Sequence, residues 1–203
     1  MQALLSSTYF GPVQWYQKLN RYDECVIEQY DNFQKQTYRN RCIIATTNGP
    51  QALTVPVERP DGARLDKTLM RDVRISDHGS WRHLHWNALA SAYGESPFFE
   101  YYQDDLRPFF EKKWSFLLDF NEAITETMCE LLDISPRVSR SKVFVKDAEH
   151  DFRDVIRPKH ALADDEFAPK RYYQVYEQRF GFQPNLSILD LLFNEGTEAV
   201  LYL

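Results

Sequence analysis

Met1-Gln2-Ala3-Leu4-Leu5-Ser6-Ser7-Thr8-Tyr9-Phe10-Gly11-Pro12-Val13-Gln14-Trp15-Tyr16-Gln17-Lys18-Leu19 opens the chain, and Cys25-Val26-Ile27 follows a few residues later. Residues 3–7 form a short apolar run suited to a buried strand. Gly11-Pro12 then turns the chain, residues 13–19 read as a short helix, and residues 25–27 read as a second strand. Strand, helix, strand is the βαβ unit, which implies a parallel pair joined by a crossover helix. The expected fold is therefore α/β.

Further along, residues 41–47, Asn48-Gly49 and residues 52–57 read as an antiparallel hairpin. Pro50 lacks the N–H that closes a two-residue turn on Thr47, so a longer or bulged loop is expected. Residues 58–68 read as a surface loop and residues 69–75 as another strand. From Trp81 to Tyr93, the residues Trp81, Leu84, His85, Ala88, Leu89, Ala92 and Tyr93 share one helical stripe, with Gly94 placed to stop it. Ser96-Pro97 starts a helix over residues 98–106, and a third spans about 115–132. Residues 135–170 read as loop, with only 143–145 as a short strand. Ser187 caps a last, almost wholly apolar helix that Gly196 ends. The expected architecture is a mixed sheet, with a parallel βαβ start plus an antiparallel hairpin, and helices in the middle and at the C-terminus. No boundary divides residues 1–203, so one domain is expected.

At 203 residues with 43% hydrophobic and 15% aromatic content, the chain can bury a large core, which excludes global disorder. A formal charge of −6 argues against broad nucleic-acid or anionic-membrane binding. Three dispersed cysteines fit neither a disulfide framework nor a CxxC metal site. The N-terminus lacks the basic and apolar regions of a signal peptide, and no run is long enough to span a bilayer, so a cytoplasmic protein is expected.

Function starts at Phe33-Gln34-Lys35-Gln36-Thr37-Tyr38-Arg39-Asn40-Arg41. Read as extended chain, it puts Lys35, Thr37, Arg39 and Arg41 on one face, about 6.5 Å apart. Guanidinium forks at that spacing suit a carboxylate or phosphate. Gln34 and Asn40 add neutral hydrogen-bonding groups. The competing reading pairs these cations with Glu24, Glu28 or Asp31 on a neighbouring strand, where exposed ion pairs contribute little. His85 is the acid–base candidate, since imidazole transfers protons near neutral pH; the alternative is a core histidine. Tyr9 is either a sugar-stacking wall or core. The other histidines show no ligand spacing, so no metal is expected. Glycine-rich phosphate loops, a GxSxG elbow and HExxH are all absent from the sequence.

Tyr9-Phe10-Gly11-Pro12 with Tyr16, then Phe33, Lys35, Asn40 and Arg41, then Leu53-Thr54-Val55-Pro56-Val57 form a recognisable series. Trp81, His85, Tyr93 and Pro97-Phe98-Phe99 continue it, and Phe182-Gln183-Pro184-Asn185-Leu186-Ser187-Ile188-Leu189-Asp190-Leu191-Leu192-Phe193-Asn194-Glu195-Gly196 is its most specific part. Together they resemble the WbqC-like family of bacterial proteins. One departure is that Ser7-Thr8 stand where family members commonly carry Gln-Pro. The resemblance implies a role in O-antigen or related surface-polysaccharide synthesis, with aminoacyl (glycine) transfer to a sugar as the suggested chemistry. The expectation is a group transferase acting on a phosphate-bearing sugar intermediate, a nucleotide-sugar or lipid-linked sugar. In it Lys35, Arg39 and Arg41 would hold the anion, with Asn40, Gln34 and Tyr9 beside it and His85 catalytic. The alternative is a non-catalytic sugar-nucleotide-binding or partner-binding protein of the same pathway.

Overall fold

A computed structural model describes residues 1–62 and 64–203. Strand β1 (Gln2–Ser6) leads through helix α1 (Val13–Arg21) into β2 (Glu24–Glu28), and the two strands pair in parallel from Gln2↔Glu24 to Ser6↔Glu28. The βαβ reading holds. A third strand, β5 (Val138–Arg140), joins in parallel on the far side of β2, giving the order β1-β2-β5. The expected strand at 143–145 does not form, because those residues leave the sheet just beyond β5. On the other edge, the Leu4 N–H donates to the His150 carbonyl and the Phe152 N–H donates to the Leu4 carbonyl, each at 2.9 Å. Residues 150–152 thereby cover an edge that would otherwise offer unpaired backbone groups.

The hairpin is a separate sheet, β3 (Arg41–Thr46) with β4 (Gly49–Thr54). Its turn is tight, with Thr47-Asn48 between the paired Thr46 and Gly49, contrary to the longer loop expected from Pro50. Pro50 faces Ala45, whose N–H points away from β4 and donates to the Tyr93 hydroxyl at 3.1 Å. That pair exchanges no ladder hydrogen bonds, so the missing proline N–H costs the hairpin nothing.

Helices follow: α2 (Trp81–Tyr93), α3 (Phe99–Leu106), α4 (Pro108–Glu111), α5 (Leu117–Leu131), α6 (Glu177–Phe180) and α7 (Ile188–Glu195). The expected strand at 69–75 is instead a single 3-10 turn at Met70–Asp72 flanked by isolated bridges, since Leu69, Arg74 and Ile75 each reach a different partner. Ser187 caps α7 as anticipated, its hydroxyl accepting from the Leu189 N–H at 3.3 Å. Gly196 ends α7 at φ 59°, where a Cβ would lie 2.7 Å from the Phe98 ring, so two constraints select glycine.

One cluster of buried apolar side chains runs from Ala3 to Ala199 and includes residues of β1, β2, the hairpin, α1 to α5 and α7. The two chain ends close it. The Val13 N–H donates to the Leu186 carbonyl, the Ile188 N–H to the Gly11 carbonyl and the Ser187 hydroxyl to the Phe10 carbonyl. The irregular stretch from 142 to 176 is strapped to α1. Fully buried Lys18 pairs with Asp164 at 2.9 Å and lies 4.5 Å over the Phe152 ring, while Tyr22 donates to Glu166.

Candidate functional site

In parallel sheets, ligands bind in the crevice beyond the carboxyl ends of the strands, where successive loops diverge. Here those ends are Ser6, Glu28 and Arg140. Glu28 is wholly buried without a cationic partner, yet its carboxylate is satisfied. It accepts from the Ser141 hydroxyl at 2.8 Å and from the Tyr30 and Val145 N–H groups at 2.7 Å. This binds the exit of β2 to the exit of β5 and holds the half-exposed Phe144 ring at the rim of a cleft.

Arg39 and Asp31 form the floor of that cleft. Arg39 is 2% exposed, and its guanidinium forms an ion pair with Asp31. Burial pushes the Asp31 carboxyl up, and Arg39 opposes the rise. Arg39 also walls a small inner cavity lined by Ser6, Thr8 and Thr37. Among the described residues, no protein group meets Ser6 Oγ, Thr8 Oγ1, Arg39 Nε or Asp31 Oδ1, although all four residues are buried. Buried polar atoms are almost always paired, and the space beside Ser6, Thr8 and Arg39 is large enough for about one water molecule.

The cleft is one end of a longer groove. Its volume is about 490 Å³, and Arg153 and Tyr30 complete its walls. Asn32 and Gln34 are shared with a middle compartment of about 630 Å³, which in turn shares Arg59 and Leu65 with a third of about 770 Å³. The middle compartment carries Lys35, Arg59 and Arg64 against the single carboxylate of Asp66, which Arg64 already engages. Lys35 and Arg59 are exposed and, among the described residues, form no ion pair.

The residues singled out from sequence divide accordingly. Gln34, Lys35 and Arg39 line the groove. Asn40 and Arg41 do not: Asn40 donates to the Val55 carbonyl at 2.8 Å, and Arg41 reaches the Thr54 hydroxyl at 3.1 Å. Residues 35–40 are successive turns and bends, so no strand face gathers the cations. The pairing alternative was right about Asp31, with the difference that the ion pair is buried. Arg153, Phe144 and Arg59 carried no signal in the sequence, because distant segments bring them to the groove.

Tyr9 and His85 lie in the core. The Tyr9 hydroxyl and His85 Nδ1 are 2.9 Å apart, and both residues are buried. Burial lowers the His85 pKa from 6.5 to about 4, so the imidazole is neutral near pH 7. The unfolded chain therefore takes up a proton below about pH 6.5 that the native state refuses until about pH 4, and stability falls as pH drops through that window. Between pH 7 and pH 5 this accounts for a loss of about 2 kcal/mol. His85→Gln removes it, and urea titrations of both proteins at the two pH values measure the difference. Equal losses would show that His85 titrates normally.

The cysteines are equally inert: burial pushes the Cys25 thiol up to about 11 and those of Cys42 and Cys129 up to about 12. Among the described residues, no three His, Cys, Asp or Glu groups could hold a metal ion, and no helix is long and apolar enough to cross a membrane.

Fold and groove together define an α/β protein with a small parallel sheet whose carboxyl edge opens onto a charged, polar-walled trough. The chain belongs to the WbqC-like protein family, which matches residues 7–171 and 163–202. It is 28% identical over 232 aligned residues to the uncharacterized protein Rv1507c of Mycobacterium tuberculosis, an alignment covering 99% of this chain and 96% of the relative. No solved structure matches the chain.

Proposed function

We propose that the groove binds a phosphate-bearing sugar, as a nucleotide-sugar or lipid-linked sugar, and that the protein is a group transferase on that intermediate in bacterial surface-polysaccharide synthesis. The observation that carries this reading is the pair of unpaired cations, Lys35 and Arg59, in a compartment continuous with the Phe144-rimmed cleft. A phosphate or diphosphate between Lys35 and Arg59 places the sugar toward Asn32, Gln34 and the Arg39–Asp31 floor. There, aromatic faces and neutral amides suit a pyranose. Asp31 takes the acid–base role in place of His85, because burial raises its pKa and its side chain keeps slight exposure to the cleft. The WbqC-like resemblance supplies the pathway and aminoacyl transfer as the reaction type.

Calorimetry with UDP-glucose and UMP at low salt tests it. Lys35→Ala with Arg59→Ala weakens both by about tenfold or more with an unchanged melting temperature, since both side chains are exposed. Identical affinity in the double variant removes the anion site.

A second, non-catalytic reading is favoured by one observation: Asp31 is already engaged by Arg39. Asp31→Asn separates the two. If binding persists and product formation stops, the protein is an enzyme; if wild type forms no product from any donor, it is a binding module.

A further inference from the structure

A sugar phosphate in the groove carries a second substituent on its phosphate, and the groove runs on past Lys35 and Arg59 to receive it. That far compartment, of about 770 Å³, joins the middle one at Arg59 and Leu65. Two extended segments build its wall. Val57 bridges Ile75 antiparallel, with the Glu58 N–H donating to the Arg74 carbonyl and the Ser76 N–H to the Pro56 carbonyl, both at 2.9 Å. The 3-10 turn Met70–Asp72 adds Asp72, and Arg74 is held 4.5 Å from the centroid of the Phe116 ring.

The chemistry of this compartment discriminates between the two carriers a sugar phosphate can have. Glu58, Asp61 and Asp72 line it, against Arg74 and the shared Arg59. Asp72 lies 3.8 Å from Arg71, whereas Glu58 and Asp61 are exposed and, among the described residues, form no ion pair. Pro56, Pro60 and Val57 supply small apolar faces between the charges. A prenyl chain laid along this wall would strip water from carboxylates and guanidinium groups and offer no hydrogen bond in return. That desolvation costs more than the covered apolar area gives back. The excess of carboxylates also repels an anionic lipid surface. A nucleoside suits the same wall: ribose hydroxyls donate to carboxylates in charge-assisted bonds, and a flat base lies against proline and valine.

We propose that the substrate is a nucleotide-sugar and not a lipid-linked sugar, with its nucleoside in the far compartment and its ribose hydroxyls donating to Glu58 and Asp61. This assignment rests on the anion site at Lys35 and Arg59 proposed above.

Three compounds that share glucose and a diphosphate and differ only in the other substituent test it by calorimetry at low salt. They are UDP-glucose, methyl-diphospho-glucose and farnesyl-diphospho-glucose, the last kept below its micelle-forming concentration. UDP-glucose is expected to bind about tenfold or more tightly than the methyl compound, and the farnesyl compound no tighter than the methyl one. Glu58→Gln with Asp61→Asn, both exposed, removes two negative charges and so strengthens any diphosphate. The readout is therefore the ratio of UDP-glucose to methyl-compound affinity, which falls by about fivefold in that variant. Farnesyl binding as tight as that of UDP-glucose, no gain from uridine, or an unchanged ratio in the variant overturns the assignment. If all three compounds bind and Lys35→Ala with Arg59→Ala weakens each, the anion site survives that outcome and only the nucleoside assignment falls. If none binds, both fall.

Discussion

Asp190→Ala lowers the unfolding free energy by about 4 kcal/mol, the largest loss expected from a single side chain here. Asp190 lies on α7, fully buried and without a cation. Its carboxylate accepts from the Tyr93 hydroxyl at 2.8 Å, the Tyr172 hydroxyl at 2.7 Å and Gln174 Nε2 at 2.9 Å. Burial pushes its pKa up, and those donors pull it down. Tyr93 in turn accepts from the Ala45 N–H, and Gln174 exchanges hydrogen bonds with the Gln183 backbone. One carboxylate thus joins α2, β3, α7 and the strap at 172–174. Alanine leaves the donors facing apolar side chains, at about 1–3 kcal/mol per unsatisfied group. Asp190→Asn retains the volume and one acceptor but turns an NH2 toward donors, so about half that loss is expected. Urea unfolding near neutral pH measures both. A loss below about 1 kcal/mol for alanine would mean that water replaces the carboxylate.

Lys18→Met costs about 3 kcal/mol. The Lys18 ammonium is completely enclosed, paired with Asp164, whose side chain is 6% exposed, and lies 3.5 Å from Glu166. Methionine fills the space but strands the Asp164 carboxylate, and an uncompensated buried charge is the expensive outcome of breaking such a pair. Because Asp164 and Glu166 anchor the strap to α1, the loss is local as well as global. Limited proteolysis should cut Lys18→Met within residues 158–170 well before wild type. Adding Asp164→Leu removes the stranded charge and recovers part of the stability; Gln14 and the Glu166 N–H, which also bond Asp164, prevent full recovery. If the double variant is no more stable than Lys18→Met, the two groups are not coupled.

Features set by local sequence are legible in this chain. The helix at Trp81–Tyr93 shows an apolar stripe at helical spacing, and the α7 cap and stop are single residues, Ser187 and Gly196. The hairpin is legible in the sequence, but its tight turn is not. Whether Pro50 loses a ladder bond depends on which way its partner Ala45 faces, and Tyr93, nearly fifty residues on, settles that. β5 carries no strand signal of its own, since Val138-Ser139-Arg140 holds a single apolar residue. It is a strand because β2 offers it a free edge.

The opening βαβ unit, the hairpin, the capped and periodic helices and the family followed from the sequence by itself. Each rests on contacts within a turn or two of chain, or on motif residues standing at their places. The groove and the cleft were decided only by the tertiary structure. Arg39 looked like one of three cations on a strand face; packing buried it against Asp31, left Lys35 in the open with Arg59 and sent Arg41 to the hairpin. The physical reason is that a charge's partner and its solvent exposure are set by segments far away in sequence. No local pattern records which of several like residues will lose its water.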